Sequence, residues 1–367
     1  MKIVIFGLTV SSSWGNGHAT LWRGLIRALA RRGWRVTFFE HDVSYYAGAR
    51  DLYHIDGGQL VFYADWDEVR QKAEREIADA DVAIVTSYCP DAIAAAGLVF
   101  DAVSALRVFY DLDTPVTLSH LKQDGRADYI GPDGLGGFDL VLSYTGGAAL
   151  TELQTALGAR RTAALYGHVD PDQYRPAEPR PDFAGDLSYL GTYAADRQAD
   201  VERYLVAPAG LRPDCRFVIG GALYPHDFPW TPNIHFVRHL PPPDHPAFDA
   251  SSRLTLNVTR RAMAQMGWCP SGRLFEAAAC GAAIATDIWQ GLDDFFEPGR
   301  DVIAVRTTED VIAALDLSDA ELKRIGRNAR ERVLSDHTSE RRAREFETIL
   351  SDAFQSRQPP HQISEVA

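Results

Sequence analysis

Gly267-Trp-Cys-Pro-Ser-Gly-Arg-Leu-Phe-Glu-Ala-Ala-Ala-Cys-Gly-Ala-Ala-Ile-Ala-Thr286 reads as a turn, a short helix, a glycine stop and a strand. Pro270, Ser271 and Gly272 leave the start of that helix open, so its free N–H groups and dipole suit a diphosphate. Arg273 adds a fixed positive charge at the same place. Glu276 lies one turn further on among alanines, where a carboxylate has no packing role. It suits the two hydroxyls of a ribose, the alternative being a salt bridge on an exposed helix face.

The same strand–turn–helix grammar extends in both directions. Towards the N-terminus, Ile3–Phe6, Arg35–Phe39, Val82–Thr86, Arg107–Tyr110, Asp139–Ser143 and Thr162–Tyr166 read as strands. Helical patterns separate them: Leu21, Trp22, Leu25, Ile26 and Leu29 share one face, and Ile93, Ala96, Gly97, Phe100 and Ser104 another. Between Gly167 and Asp182, Pro171, Pro176, Pro179 and Pro181 favour an extended connector. The rhythm then restarts with strands at Leu187–Leu190, Arg216–Ile219, Ile234–Val237, Leu254–Val258, Ala283–Thr286 and Val302–Val305, and a helix from about Asp196. Ser318 and Glu321 form a capping box for a helix to about Leu334, and a last helix spans about Ser339–Phe354. This alternation predicts an α/β chain of two Rossmann-like, doubly wound domains facing an interdomain cleft. The expected division is 1–166, a linker at 167–182, a second domain at 183–335, a returning helix at 336–355 and a disordered tail at 356–367.

Composition narrows the class. At 367 residues the chain is long for one core, and a net charge of −13 argues against a dedicated nucleic-acid binder. The four cysteines, at 89, 215, 269 and 280, have neither disulfide-framework nor zinc spacing. With no secretory signal pattern and no apolar run of ~18 residues, the expectation is a cytoplasmic protein without a transmembrane segment. The basic residues between Lys323 and Arg344 are interspersed with acids and read as a solvated helix pair.

Two further segments carry chemistry. The loop after the first strand contains Gly15, Asn16 and Gly17, then His18 where the helix begins. Its spacing is not that of a dinucleotide fingerprint, although Glu40 imitates the ribose-binding acid of one. His18 faces the cleft as a candidate general base, the plainer reading being a hydrogen bond within the loop. Asp111 and Asp113, at the end of the fourth expected strand, read either as a metal-binding pair or as a turn cap plus an orienting acid. We favour Asp111 as the residue that orients His18, with no metal. Trp14, Trp22, Tyr45 and Tyr46 suit either an acceptor wall or core packing.

The run Arg273-Leu-Phe-Glu-Ala-Ala-Ala-Cys-Gly-Ala-Ala-Ile284 resembles the donor-binding element of GT-B glycosyltransferases, most of all the bacterial spore-maturation-protein-like family. Ser13–Thr20, Tyr110–Pro115, Ser143–Gly147, Tyr166–Asp170 and Leu256–Arg260 fit the same picture, so the resemblance runs to about residue 335. It implies transfer of a sugar from a nucleotide-diphospho-sugar, bound by the C-terminal domain, to a hydroxyl acceptor on the N-terminal domain. Glu276 would hold the ribose; Ser271, Arg273 and Arg260 would lie near the diphosphate, with Gly191, Thr192 and Arg197 forming a phosphate-facing turn. His18 and Asp111 would be the catalytic base and its acid, with Gly15, Asn16, Gly17 and Asp113 on the acceptor side and Gln290 and Gly291 contacting the sugar. No cofactor is implied beyond the co-substrate. Retaining members often carry a second glutamate eight positions before the one matching Glu276; Trp268 stands there, which favours inversion. A sugar-nucleotide epimerase or a non-catalytic sugar-nucleotide-binding protein shares the fold, and the donor base, the acceptor and the oligomeric state stay open.

Overall fold

The structure, a computed structural model, describes residues 1–357. Its first sheet has seven parallel strands: β1 (Lys2–Gly7), β2 (Arg35–His41), β3 (Gly58–Tyr63), β4 (Val82–Thr86), β5 (Leu106–Asp111), β6 (Leu140–Ser143) and β7 (Thr162–Ala164). They lie in the order β3-β2-β1-β4-β5-β6-β7. The second sheet has six: β8 (Gly185–Leu190), β9 (Phe217–Gly221), β10 (Ile234–Arg238), β11 (Ser252–Asn257), β12 (Ile284–Asp287) and β13 (Ile303–Val305), in the order β10-β9-β8-β11-β12-β13. The central strands are apolar on both faces, as a sheet covered by helices on both sides requires. Strand order reverses between β1 and β4 and again between β8 and β11. In open α/β sheets the crevice for a ligand forms at that reversal, beyond the carboxyl ends of the strands. The two-domain, doubly wound α/β architecture read from the sequence is therefore present.

Three local expectations are corrected. β3 falls between two expected strands; its first two residues, Gly58 and Gln59, are exposed at the sheet edge, so only a short apolar run marks it. The helix Ala92–Asp101 buries Ala92, Ala95 and Val99, while Ile93 and Phe100 of the expected face are exposed. Alanines at close helix–sheet contacts and larger residues outside invert the usual size signal. The helix expected from Asp196 is a composite in which Glu202–Val206 widens to a π-helical turn. Pro208 follows it and cannot donate to the carbonyl four residues back.

The connector after β7 makes a turn at 170–174 and is held at its start by the last helix and the residues before it. Val169 N–H donates to the His337 carbonyl (2.9 Å), Ser339 N–H to the Val169 carbonyl (2.8 Å), and Arg342 to the Gly167 carbonyl (2.9 Å). From there the last helix, Ser339–Gln355, crosses back and buries Ala343, Phe346, Leu350 and Ala353 in the same core as Leu25 and Leu29 of the first helix, Gly17–Arg31. Ser356 and Arg357, assigned in the sequence reading to a disordered tail, are described, and Arg357 donates to the carbonyls of Ser104 (2.9 Å) and Val103 (3.0 Å). The rest of that tail, 358–367, lies outside the described residues.

Phe346 is 2% exposed and faces Trp34 with ring centroids 6.4 Å apart. Phe346→Ala is expected to cost about 3–5 kcal/mol by opening a cavity. Urea unfolding should show the loss in the transition of the N-terminal domain, with that of the C-terminal domain little changed.

Candidate active site

The carboxyl ends of the two sheets enclose a cleft of about 340 Å³. On the N-terminal side its wall begins with the loop after β1. Glu40, at the end of β2, is 1% exposed and accepts hydrogen bonds from Thr9 Oγ1 (2.7 Å), Val10 N–H (2.8 Å), Ser11 N–H (3.0 Å) and Ser11 Oγ. It pins the loop from beneath and does not line the cleft, which removes it as a ribose-binding acid. Asn16 caps the following helix by accepting from His18 N–H (3.0 Å), and this cap sets His18 on the cleft wall. The His18 ring lies nearly parallel to the Tyr88 ring at 6.3 Å. Loss of hydration pushes its pKa down to about 4, so the ring is neutral near pH 7.

The expected pairing of His18 with Asp111 does not form. Asp111 is fully buried below the cleft, where Oδ1 accepts from Asp113 N–H (3.1 Å) and Thr117 Oγ1 (2.9 Å). Through Oδ1 it organises the start of the helix Thr114–Asp124, while Oδ2 is buried without a hydrogen-bond partner among the described residues. Of the two aspartates, Asp113 is the one that lines the cleft. Its Oδ2 accepts from the Tyr88 hydroxyl (3.1 Å) and lies 3.7 Å from Arg260 Nη1. Burial raises Asp113 to about 6 although Arg260 opposes the shift, and burial likewise raises Asp111 to about 6. Tyr88 thus stands between His18 and Asp113, and it does so with a φ of +64°, uncommon for a residue with a side chain. Sequence reading passed over Tyr88, although its place just past the end of β4 is where such folds present functional groups.

The C-terminal wall is more basic. The helix Gly272–Cys280 points its N-terminus into the cleft, with Ser271 Oγ accepting from Arg273 N–H (3.4 Å). Arg260 is neutralised by Asp196 (3.0 Å) and Asp113. Arg273 and Arg197 differ: among the described residues neither forms an ion pair, and each has a buried nitrogen without a partner (Nη1 and Nε). The Arg197 guanidinium donates to the Tyr189 hydroxyl (3.2 Å). Gly191 and Thr192 complete this wall; a Cβ at Gly191 would sit 2.7 Å from the Tyr189 hydroxyl. Glu276 lines the cleft and accepts from Thr20 Oγ1 of the opposite domain (3.3 Å).

Gln290 and Gly291 do not reach the cleft. The Gln290 carbonyl accepts from Trp268 N–H (2.7 Å), and the Trp268 indole covers Gly291 so closely that a Cβ there would lie 2.5 Å from Nε1. Trp268 has a φ of +42°, donates Nε1–H to Asp294 (2.6 Å) and presses on Gly147 of the N-terminal domain. Beside it the domains are stitched together. Gly146 N–H donates to the Trp268 carbonyl (3.0 Å), the Tyr144 hydroxyl to the Pro270 carbonyl (2.9 Å) and Thr145 Oγ1 to Cys269 Sγ (3.0 Å). At the opposite lip Trp14 and His239 meet ring to ring, with centroids 4.0 Å apart.

Residues 197–348 match the model of a family described as glycosyl transferase-like. Among curated proteins, none matches this sequence. Similar solved structures include a sucrose-phosphate synthase from Thermosynechococcus elongatus (TM-score 0.69, 14% identity, covering 97% of this chain and 100% of that one). Another is Anabaena HepE in complex with UDP-glucose (TM-score 0.69, 14% identity, 96% and 100%). A third is an alpha-glucosyltransferase in complex with UDP-glucose and DNA containing an abasic site (TM-score 0.70, 13% identity, 96% and 99%). The fold is GT-B. In this GT-B chain the family match covers β9 to β13 of the second sheet and the arginines of the basic wall, and leaves out β8, Gly191 and Thr192. The N-terminal wall with His18, Tyr88 and Asp113 lies outside it.

Because His18 lacks a carboxylate partner and is desolvated, its NMR titration is expected to have a midpoint near pH 4, well below the ordinary 6.5. A depressed histidine contributes stability above pH 6.5 that is lost as the pH falls towards 4. A midpoint at or above 6.5 would show a charge partner that this geometry lacks.

Proposed function

We propose that the protein is a glycosyltransferase that takes its sugar from a nucleoside-diphosphate-sugar. The observation that carries this reading is the pair of unneutralised guanidiniums, Arg197 and Arg273, beside an open helix N-terminus on one wall of the cleft. Two half-buried guanidiniums that form no ion pair among the described residues, each with a buried nitrogen left unpartnered, are completed by a multiply charged anion in the cleft. The glycosyl transferase-like match over 197–348 and the UDP-glucose in the names of two similar structures support a nucleotide-sugar as that anion. Glu276, one turn along the same helix, is then at the distance of a ribose from the diphosphate.

In this reading the acceptor hydroxyl lies against the loop 15–18 and attacks the anomeric carbon. The new carbon–oxygen bond forms as the bond from that carbon to the diphosphate oxygen breaks, and the hydroxyl proton passes to neutral His18. The leaving diphosphate is held by Arg273, Arg197 and the helix N-terminus, charges fixed before the reaction begins. Among the described residues no carboxylate pairs with His18; Asp113, whose Oδ2 accepts from the Tyr88 hydroxyl, holds Tyr88 beside the imidazole. This positioning role replaces the one assigned to Asp111 from sequence. The chemistry requires no metal, and attack from the side opposite the diphosphate inverts the anomeric centre. Kinship with the spore-maturation-protein-like branch rests on the sequence motifs. One similar structure is named with DNA, but the charge of −13 here favours an acceptor that is not a polyanion. A cytoplasmic setting agrees with a nucleotide-sugar donor.

Thermal shift against UDP-, dTDP-, GDP- and CMP-sugars, with NAD and NADP alongside, tests the donor class. Stabilisation by one nucleotide-sugar supports the reading, and stabilisation by a nicotinamide nucleotide alone overturns it. With that donor, Arg273→Ala should weaken binding by roughly tenfold to a hundredfold. His18→Ala should leave the donor dissociation constant within about threefold and lower turnover by roughly 10²–10⁴. Full turnover in His18→Ala would remove His18 as the base.

A further inference from the structure

Behind the basic wall lies a second, small space of about 20 Å³, bounded by Asp249, Thr255, Asn257, Arg273, Glu276 and Leu190 among others. Glu276 and Arg273 line both this void and the main cleft; Asp249 lines only the void. Asp249 belongs to the helix His245–Ala250, which is packed against Gly272–Cys280, and it is 4% exposed. A carboxyl group buried behind another carboxylate has no obvious place in a core. The void is large enough for one water molecule and is rimmed by polar groups, as an ordered water requires.

We propose that Asp249 is a positioning residue: its carboxyl O–H, acting through a single water in this void, holds the Glu276 carboxylate at the angle that receives two ribose hydroxyls. This rests on the donor-site reading above and adds a rear support to it. The groups that face Asp249 agree. From Gly272–Cys280 come Glu276, Arg273 and the Cys280 thiol, and from the connector Tyr174. Burial and the Glu276 charge together raise Asp249 to about 8, against the pull of Arg273. The proton is therefore present at neutral pH, one carboxyl can donate to the other, and the support fails as the pH rises through about 8.

The discriminating measurement is the affinity ratio between a ribonucleoside diphosphate and its 2′-deoxy analogue, taken by calorimetry on the full chain. The probes are UDP and 2′-deoxy-UDP, with the GDP and ADP pairs alongside. The wild type should prefer the ribose form by about tenfold. Asp249→Asn, which can still donate, should keep the preference; Asp249→Ala should bring the ratio close to one while the deoxy analogue binds as before. Above pH 8 the preference should fade in the wild type and persist in Asp249→Asn. An undiminished preference in Asp249→Ala, or the same alkaline loss in Asp249→Asn, overturns the inference. A wild type that binds the diphosphates without ribose preference overturns it too, and leaves the diphosphate site standing. A wild type that binds no nucleoside diphosphate overturns the donor-site reading itself. Should Asp249→Ala not fold, the pH profiles of the wild type and Asp249→Asn decide alone.

Discussion

The seam between Tyr144–Gly147 and Trp268–Pro270 fixes how far apart the two sheets stand. Three hydrogen bonds cross it, and the Trp268 indole is wedged against Gly147 on one side and Gly291 on the other. The bonds are worth only about 1 kcal/mol each, but they act on the turn that opens the helix Gly272–Cys280. The orientation of that helix, and hence of Arg273 and Glu276, is referred directly to the other domain. A tryptophan with a left-handed backbone is tolerated there because the wedge needs a large flat side chain at the turn.

From this constraint the character of the cleft follows. One lip is sewn shut, whereas the other is closed by an aromatic contact between Trp14 and His239 and a single long hydrogen bond from Thr20 to Glu276. Contacts of that kind exchange for ligand contacts at little cost, and the seam does not. The walls are also chemically asymmetric. The acids on the N-terminal side are held near neutral pKa by burial, and the C-terminal side carries two arginines with no internal counter-charge. An elongated anion with an electrophilic carbon at one end has only one sensible orientation in such a space.

Much of this was legible in the sequence because its signals are local. Glycine turns after apolar strands, a capping box and a proline-rich break each determine the few residues around them. The basic wall was legible for the same reason: Arg197, Arg260, Ser271, Arg273 and Glu276 follow strand ends or open a helix, and all line the cleft. The failures were of another kind. Whether Asp111 or Asp113 faces the cleft depends on which carboxylate the helix Thr114–Asp124 recruits for its own first turn, and spacing of two cannot decide that. Gln290 and Gly291 sit where a ligand contact is reasonable, but Trp268, distant by over twenty residues, had already occupied them. The surroundings of Tyr88 and Asp249 are made by tertiary packing and leave no local signal in the sequence.

The crossing of the last helix has a consequence for how the molecule comes into being. Phe346, Leu350 and Ala353 fill the core beneath the first helix, and the backbone of 337–339 is bonded to the connector at Val169. The N-terminal domain is therefore synthesised first and finished last: its apolar surface stays uncovered until residues 339–355 leave the ribosome. The C-terminal domain, continuous from β8 to β13, can close while that surface is still waiting. Assembly order is inverted relative to chain order, and the interval between them is when such a chain is most exposed to aggregation.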